Sequence, residues 1–175
     1  MKIGLVRHFK VNHAFPKKWF LSKAEIEAWF EGYASAEVIP AEVELGGVEW
    51  QKCFSSSLSR SIHTANHFYK GDIIQLDVLQ ELNALPLLAT NLRLPFLLWA
   101  IVVRLKYSSN DPVTVAFRQS IIKFVDELLQ QEKDDVLIVS HGFVMTCIQN
   151  ELTSRGFTGK KFGAPAHGKV YVFEK

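Results

Sequence analysis

The chain is 175 residues long, 48% hydrophobic and 22% charged, and its 20 Lys and Arg against 18 Asp and Glu give a formal charge of +2. That balance excludes a disordered, collagen-like or coiled-coil chain and provides enough apolar sequence for a full core in one domain spanning 1–175. So small a cationic surplus argues against a nucleic-acid partner, yet it leaves room for a local basic pocket.

Lys2 to Val6 is a short apolar run that reads as a first strand. Ser22 and Glu25 fit a capping box, and Leu21 with Ile26 fits a hydrophobic staple. Ile26, Trp29, Phe30 and Tyr33 then follow at helical spacing. Pro40 and Gly46-Gly47 mark loop before a second strand around 52–55. Leu58, Ile62, Ala65 and Phe68 form the stripe of a helix that opens after Ser55-Ser56-Ser57 and ends at Gly71-Asp72. Ile73 to Leu76 reads as a third strand. Asn91 to Asp111 is the least regular stretch, apolar but carrying Arg93, Arg104 and Lys106.

From Val113 to Glu132, Phe117, Ile121, Phe124 and Leu128 share one helical face. Val136 to Val139 is a continuous apolar strand, as expected of one buried on both faces. His141-Gly142 opens another helix, and Val170 to Phe173 reads as the last strand. Alternating strands and helices predict an α/β fold with a largely parallel sheet.

The N-terminus reaches Arg7-His8 before any signal-peptide core could form, so the chain reads as cytoplasmic. The apolar run from Leu94 to Val103 is ten residues and contains Pro95, whereas a bilayer span needs roughly 20. No transmembrane segment is expected. Cys53 and Cys147 show no metal-ligand spacing and read as reduced core thiols.

In open α/β sheets, ligands bind outside the carboxyl ends of the strands. Here one strand ends in Arg7-His8 and another in Ser140-His141-Gly142, while Arg60 sits in the first turn of the helix after Ser55-Ser56-Ser57. An arginine in a first helical turn opposes the helix dipole unless an anion lies there. Arg7, His8, Arg60 and His141 therefore predict a site for a phosphate-like dianion.

Leu5-Val6-Arg7-His8, Ser55 to Arg60 with Thr64-Ala65 beyond, Glu81, and Val139-Ser140-His141-Gly142 together resemble the histidine phosphatase superfamily, the phosphoglycerate mutase-like enzymes. The motifs stand in the family's order over essentially the whole chain. The resemblance implies a three-layer sandwich around a mostly parallel sheet. It further implies a metal-independent phosphomonoesterase with no cofactor, acting on a small phosphorylated substrate. His8 would be the nucleophile, passing through a phosphohistidine. Arg7, Arg60 and His141 would hold the phosphoryl oxygens, and Glu81 would serve as acid and then base, with Asp77 its rival for that role. A phosphomutase, or a catalytically weak phosphate-binding or interaction protein, is the alternative, and a homodimer is compatible with either.

Three positions depart from the family. Phe9 stands where glycine is usual, so it is expected to narrow the pocket mouth or to alter the hydrogen bonds orienting His8. Lys10 and Asn12 join it as candidate pocket lining. The family's cap falls at 86–111 in this chain, where the apolar 92–106 stretch reads as a lid, a core helix with charged ends, or a membrane-surface or dimer contact. His63 and His67, at helical spacing from Arg60, read as solvated or packing residues. Trp19 and Phe20 read as substrate contacts or as packing for the first helix.

Overall fold

A computed structural model describes residues 1–88 and 92–175. In chain order the elements are β1 (Lys2–Arg7), β2 (Lys10–Val11), α1 (Lys23–Ser35), β3 (Val38–Ile39), β4 (Lys52–Ser56), α2 (Ser59–Phe68), β5 (Ile73–Leu76), α3 (Phe96–Tyr107), α4 (Pro112–Gln131), β6 (Val136–Ser140), α5 (Gly142–Ser154), β7 (Thr158–Gly159) and β8 (Val170–Glu174). Two short 3₁₀ turns, Asp77–Leu79 and Leu85–Leu87, lie between β5 and α3.

Six strands form the main sheet in the order β5-β4-β6-β1-β8-β7. β5, β4, β6 and β1 run parallel, and β8 and β7 add antiparallel pairs at one edge. β6 lies at the centre, and the period-2 alternation of a strand explains its unbroken apolar sequence. Val136 and Ile138 pack in the cluster formed with α4 and α5, whereas Leu137 and Val139 pack with Ala65 of α2 and with Trp50. Both faces are thus covered, giving the helix–sheet–helix layering expected of the sequence.

The capping box at α1 forms as expected. Glu25 N–H donates to Ser22 Oγ at 3.3 Å, and Ser22 N–H donates to Glu25 Oε2 at 2.9 Å. Leu21 and Ile26 are both buried, together with Leu85 and Trp99, in a third cluster away from the sheet. Trp99 Nε1–H donates to the Leu21 carbonyl at 2.8 Å, and Leu21 and Leu94 exchange backbone hydrogen bonds at 2.9 and 3.0 Å. These contacts tie α3 to the start of α1.

α3 corrects the expectation of an irregular stretch from Asn91 to Asp111. Its inward residues Phe96, Trp99 and Val103 recur at helical spacing, but Leu97, Leu98, Ile101 and Leu105 on the outer side are exposed and equally apolar. With no polar face, the sequence shows no amphipathic contrast from which to read a helix. Residues 89–91 of the expected 86–111 cap segment lie outside the described residues. The two-residue pair of β2 with β3 is too short to leave a periodic signal. Among the described residues, no helix is long and apolar enough to cross a membrane.

Packing is tight where Trp50 lies over β1. A Cβ on Gly4 would sit 2.7 Å from Trp50 Cη2 and 2.8 Å from Leu137 Cδ1. Both are buried core groups with little room to yield. Gly4→Ala is expected to lower unfolding stability by about 1–3 kcal/mol, read from the denaturant midpoint, while an unchanged midpoint would show that Trp50 moves freely.

Candidate active site

The register between β1 and β6 sets the site. Arg7 pairs with Ser140, and His8 N–H donates to the Ser140 carbonyl at 3.0 Å. Ser55 of β4 pairs with Val139 on the other side of β6. The carboxyl ends of β1, β6 and β4 therefore stop nearly level. Arg7-His8, His141 and the Ser56-to-Arg60 turn emerge side by side.

A cavity of about 680 Å³ opens there. Arg7, His8, Arg60, Glu81 and His141 all line it. The His8 and His141 rings stand 5.1 Å apart.

His8 is buried, and its Nδ1 lies 2.7 Å from the Phe9 carbonyl. A carbonyl can only accept, so Nδ1 carries the proton and Nε2 keeps its lone pair. Burial, with Arg60, His167 and Arg7 adding repulsion, lowers the His8 pKa from 6.5 to about 3, although the bond to Phe9 opposes that shift. His8 is a neutral imidazole at ordinary pH.

His141 is also buried and held well below the usual histidine range, chiefly by desolvation and then by Arg60. Its Nε2 lies 2.9 Å from Ser56 Oγ.

Burial raises Glu81 to about 7, against the opposing pull of the Phe143 N–H, Arg7 and Arg60. Phe143 N–H, in the first turn of α5, reaches Glu81 Oε2 at 3.4 Å. Asp77, its rival, is exposed and engaged elsewhere: Ser57 Oγ–H donates to it, and Gln80 Nε2–H does so at 2.8 Å. Asp77 does not line the cavity.

Among the described residues, five buried side-chain polar atoms have no hydrogen-bond partner, and four belong to this cavity: Arg7 Nε, Arg60 Nε, His141 Nδ1 and Glu81 Oε1. Unpaired buried polar atoms are costly, and their concentration at one place marks a site built for a polar ligand. Two of these donors are cationic and a third is an imidazole nitrogen, which suits an oxyanion. Among the described residues no cluster of three or more His, Cys, Asp or Glu is arranged to hold a metal ion.

None of Phe9, Lys10 and Asn12 lines the cavity, which corrects the expectation for all three. The Phe9 ring turns into the protein, 5.2 Å from His67 and 6.4 Å from Phe68. Gly168, at φ +66°, makes room for it, since a Cβ there would sit 2.9 Å from Phe9 Cδ1. What Phe9 brings to the site is its backbone. Its carbonyl accepts from His8, and its N–H donates to Thr64 Oγ1 at 2.9 Å. Lys10 is exposed and paired with Ile39, and Asn12 is exposed beyond it.

Trp19 and Phe20 are exposed and lie outside the cavity, as do exposed His63 and His67. Cys53 and Cys147 are free thiols, pushed up to about 12 by burial.

The sequence reading missed His167. Its Nδ1–H donates to the His8 carbonyl at 2.8 Å, and its ring stands 5.2 Å from that of His8. The same loop accepts from Arg7 through the Pro165 carbonyl at 3.1 Å. A second His-Gly pair, His167-Gly168 before the last strand, is the signal available in the sequence. Tyr33, Phe96 and Tyr107, which also line the cavity, have no motif to announce them.

No family model and no curated protein matches the chain. Solved structures do. A phosphoserine phosphatase from Entamoeba histolytica, in complex with 3-phosphoglyceric acid, superposes with a TM-score of 0.56 at 16% identity, over 87% of this chain and 80% of its own. The fold is phosphoglycerate mutase-like. A candidate alpha-ribazole-5'-P phosphatase from Escherichia coli gives 0.55 at 17% identity, over 98% and 89%. A mycobacterial glucosyl-3-phosphoglycerate phosphatase gives 0.51 at 16%, over 87% and 79%.

An oxyanion that binds the unpaired donors should stabilise the folded chain. Inorganic phosphate at constant ionic strength is expected to raise Tm in a dose-dependent way, and Arg60→Gln should remove most of that rise. A rise retained in full by the variant would place the anion elsewhere.

Proposed function

We propose that the chain is a metal-independent phosphomonoesterase working through a phosphohistidine on His8. The observation that carries this reading is the tautomer of His8: Nδ1–H is committed to the Phe9 carbonyl, so the ring meets the cavity with an unprotonated Nε2. Placement among Arg7, Arg60, His141 and Glu81 supports it, as does a fold shared with several phosphatases.

In the first step, His8 Nε2 attacks phosphorus in line with the departing ester oxygen. The N–P bond forms as the P–O bond breaks. Arg7 and Arg60 neutralise the phosphoryl oxygens, as cations do in phosphoryl transfer generally. A neutral His141 accepts from Ser56 Oγ–H at Nε2 and offers its unpartnered Nδ1–H to a phosphoryl oxygen. Protonated Glu81 gives its proton to the leaving alcohol. In the second step Glu81, now a carboxylate, takes a proton from water as the water attacks phosphorus. The N–P bond breaks, phosphate leaves, and His8 returns to its starting form.

Electrostatics divide these roles. A pKa near 3 keeps His8 unprotonated over most of the accessible range, so the nucleophile does not limit activity. A pKa near 7 keeps a useful fraction of Glu81 protonated at neutral pH, and a bound phosphate dianion would push it higher by repulsion. Residues 1–175 act as one unit in this reading, with α3 lining the cavity through Phe96, Val103 and Tyr107.

The Phe9 carbonyl accepts the His8 Nδ1–H hydrogen bond at 2.7 Å, so the absence of glycine at that position does not spoil the nucleophile. That weighs against the reading as a weak phosphate-binding protein.

His8→Ala is expected to abolish phosphate release from a panel of phosphomonoesters assayed in chelator, and wild type quenched in alkaline detergent should carry alkali-stable, acid-labile phosphate on His8. Release that persists in the variant would overturn the mechanism. For the wild type, kcat/KM with alkyl esters should fall about tenfold per pH unit above the Glu81 pKa. Glu81→Gln should lose activity by about 10²–10⁴ and lose that alkaline limb as well. An alkaline limb that survives in the variant would assign the acid to another group.

A further inference from the structure

The cavity has two unlike walls. The first, at the sheet edge, carries the groups assigned to the phosphate. The second comes from α1 and α3, where Trp29, Phe30, Tyr33, Phe96 and Val103 face the same space. Trp29 stands 4.8 Å from Phe96 and stacks on Tyr33 at 5.5 Å with 28° between ring planes. The walls meet at Tyr33, whose ring centroid lies 5.7 Å from Arg60 Cζ. The aromatic surface therefore starts where the phosphate end finishes.

Charge on the second wall is acidic. Glu27 and Glu31 line the cavity from α1, and Glu27 keeps a 3.9 Å ion pair with Lys23. Among the described residues, the only lysines or arginines lining the cavity are Arg7 and Arg60, both at the phosphate end. Apart from the Gln80 and Asn83 amides, a second anionic group on a substrate would meet carboxylates and aromatic faces, with no cation to receive it. Such a group would lose hydration without compensation. An apolar alcohol would instead move from water onto aromatic surface, which is favourable in proportion to the area covered.

We infer that the cavity takes the phosphomonoester of an apolar or aromatic alcohol that carries no second acidic group. This deepens the phosphomonoesterase reading and rests on it for the phosphate end. It also separates this chain from the Entamoeba histolytica enzyme, whose bound ligand is 3-phosphoglyceric acid. Phe96 and Trp29 set the preference by packing the alcohol, and Glu31 sets it by repelling a second anion.

The test compares 2-phenylethyl phosphate with glycerol 3-phosphate and 3-phosphoglycerate. All three are alkyl esters, so differences in kcat/KM report the pocket more than the acidity of the leaving alcohol. Burial of one phenyl group on the second wall corresponds to a preference of about tenfold or more over glycerol 3-phosphate. A larger margin is expected over 3-phosphoglycerate. Phe96→Ala should shrink the first ratio, and Glu31→Lys should raise relative turnover of 3-phosphoglycerate.

Binding of 2-phenylethylphosphonate, followed by tryptophan fluorescence, reads the second wall without turnover. Hydrolysis of all three esters with equal efficiency, or with 3-phosphoglycerate preferred, overturns this inference and leaves the phosphomonoesterase reading standing. Tight phosphonate binding without hydrolysis of any ester overturns the phosphomonoesterase reading and keeps the inference for the aromatic wall. Phosphonate binding no tighter than inorganic phosphate overturns the inference.

Discussion

The site depends on the parallel pairing of β1 with β6. That ladder ends with Arg7 opposite Ser140, and the next hydrogen bond runs from His8 N–H to the Ser140 carbonyl. A one-residue slip would send each side chain of β1 to the opposite face of the sheet. Arg7 would lose its place beside Pro165, and His8 its place beside His141. Ser140 secures the other end, because its Oγ–H donates to the Leu79 carbonyl at 2.7 Å. Two residues after Leu79 comes Glu81. One strand terminus thus sets both His8 and the segment bearing Glu81.

Burying this cluster has an electrostatic cost that the surrounding network limits. Two arginines, two histidines and a carboxyl in one half-closed cavity would be prohibitive if all were charged. The histidines stay neutral because burial and the arginines disfavour their cationic forms. Burial disfavours the anionic form of Glu81 in turn. What remains is a pair of guanidiniums, with Arg7 held by the Pro165 carbonyl and Arg60 lying against Tyr33. The same conditions that keep the imidazoles neutral also leave His8 Nε2 its lone pair, which is what the proposed phosphohistidine requires.

Much of this was legible in the sequence, for identifiable reasons. Continuous apolar strands next to stripes at helical spacing gave the α/β order, because burial on both sheet faces leaves that pattern. Arg7, His8, Arg60 and His141 could be grouped because they follow strand ends or open a helix, and in this fold class those places converge. Side-chain direction was not legible. Phe9 follows His8 and invites a role in the pocket, but its ring points at His67 and Phe68. Only the positive φ of Gly168 and the packing of α2 determine that direction. His167 was missed because its contact with His8 spans 159 residues of sequence. The aromatic wall was missed because α3 is apolar on both sides.

The two walls belong to different packing units. The wall of Arg7, His8 and His141 hangs on the sheet and its flanking clusters, whereas α1 and α3 share the separate cluster of Leu21, Ile26, Leu85 and Trp99. Side chains without shared partners act nearly independently, and those in contact do not. In the proposed reading, substitutions at Phe96 and Trp29 therefore change the alcohol accepted while His8, Arg7 and His141 keep their geometry. Tyr33 is the exception, since it touches Arg60 from the second wall. A substitution there reaches both walls of the cavity, and its effect on ligand binding should not add to that of a change at Arg60.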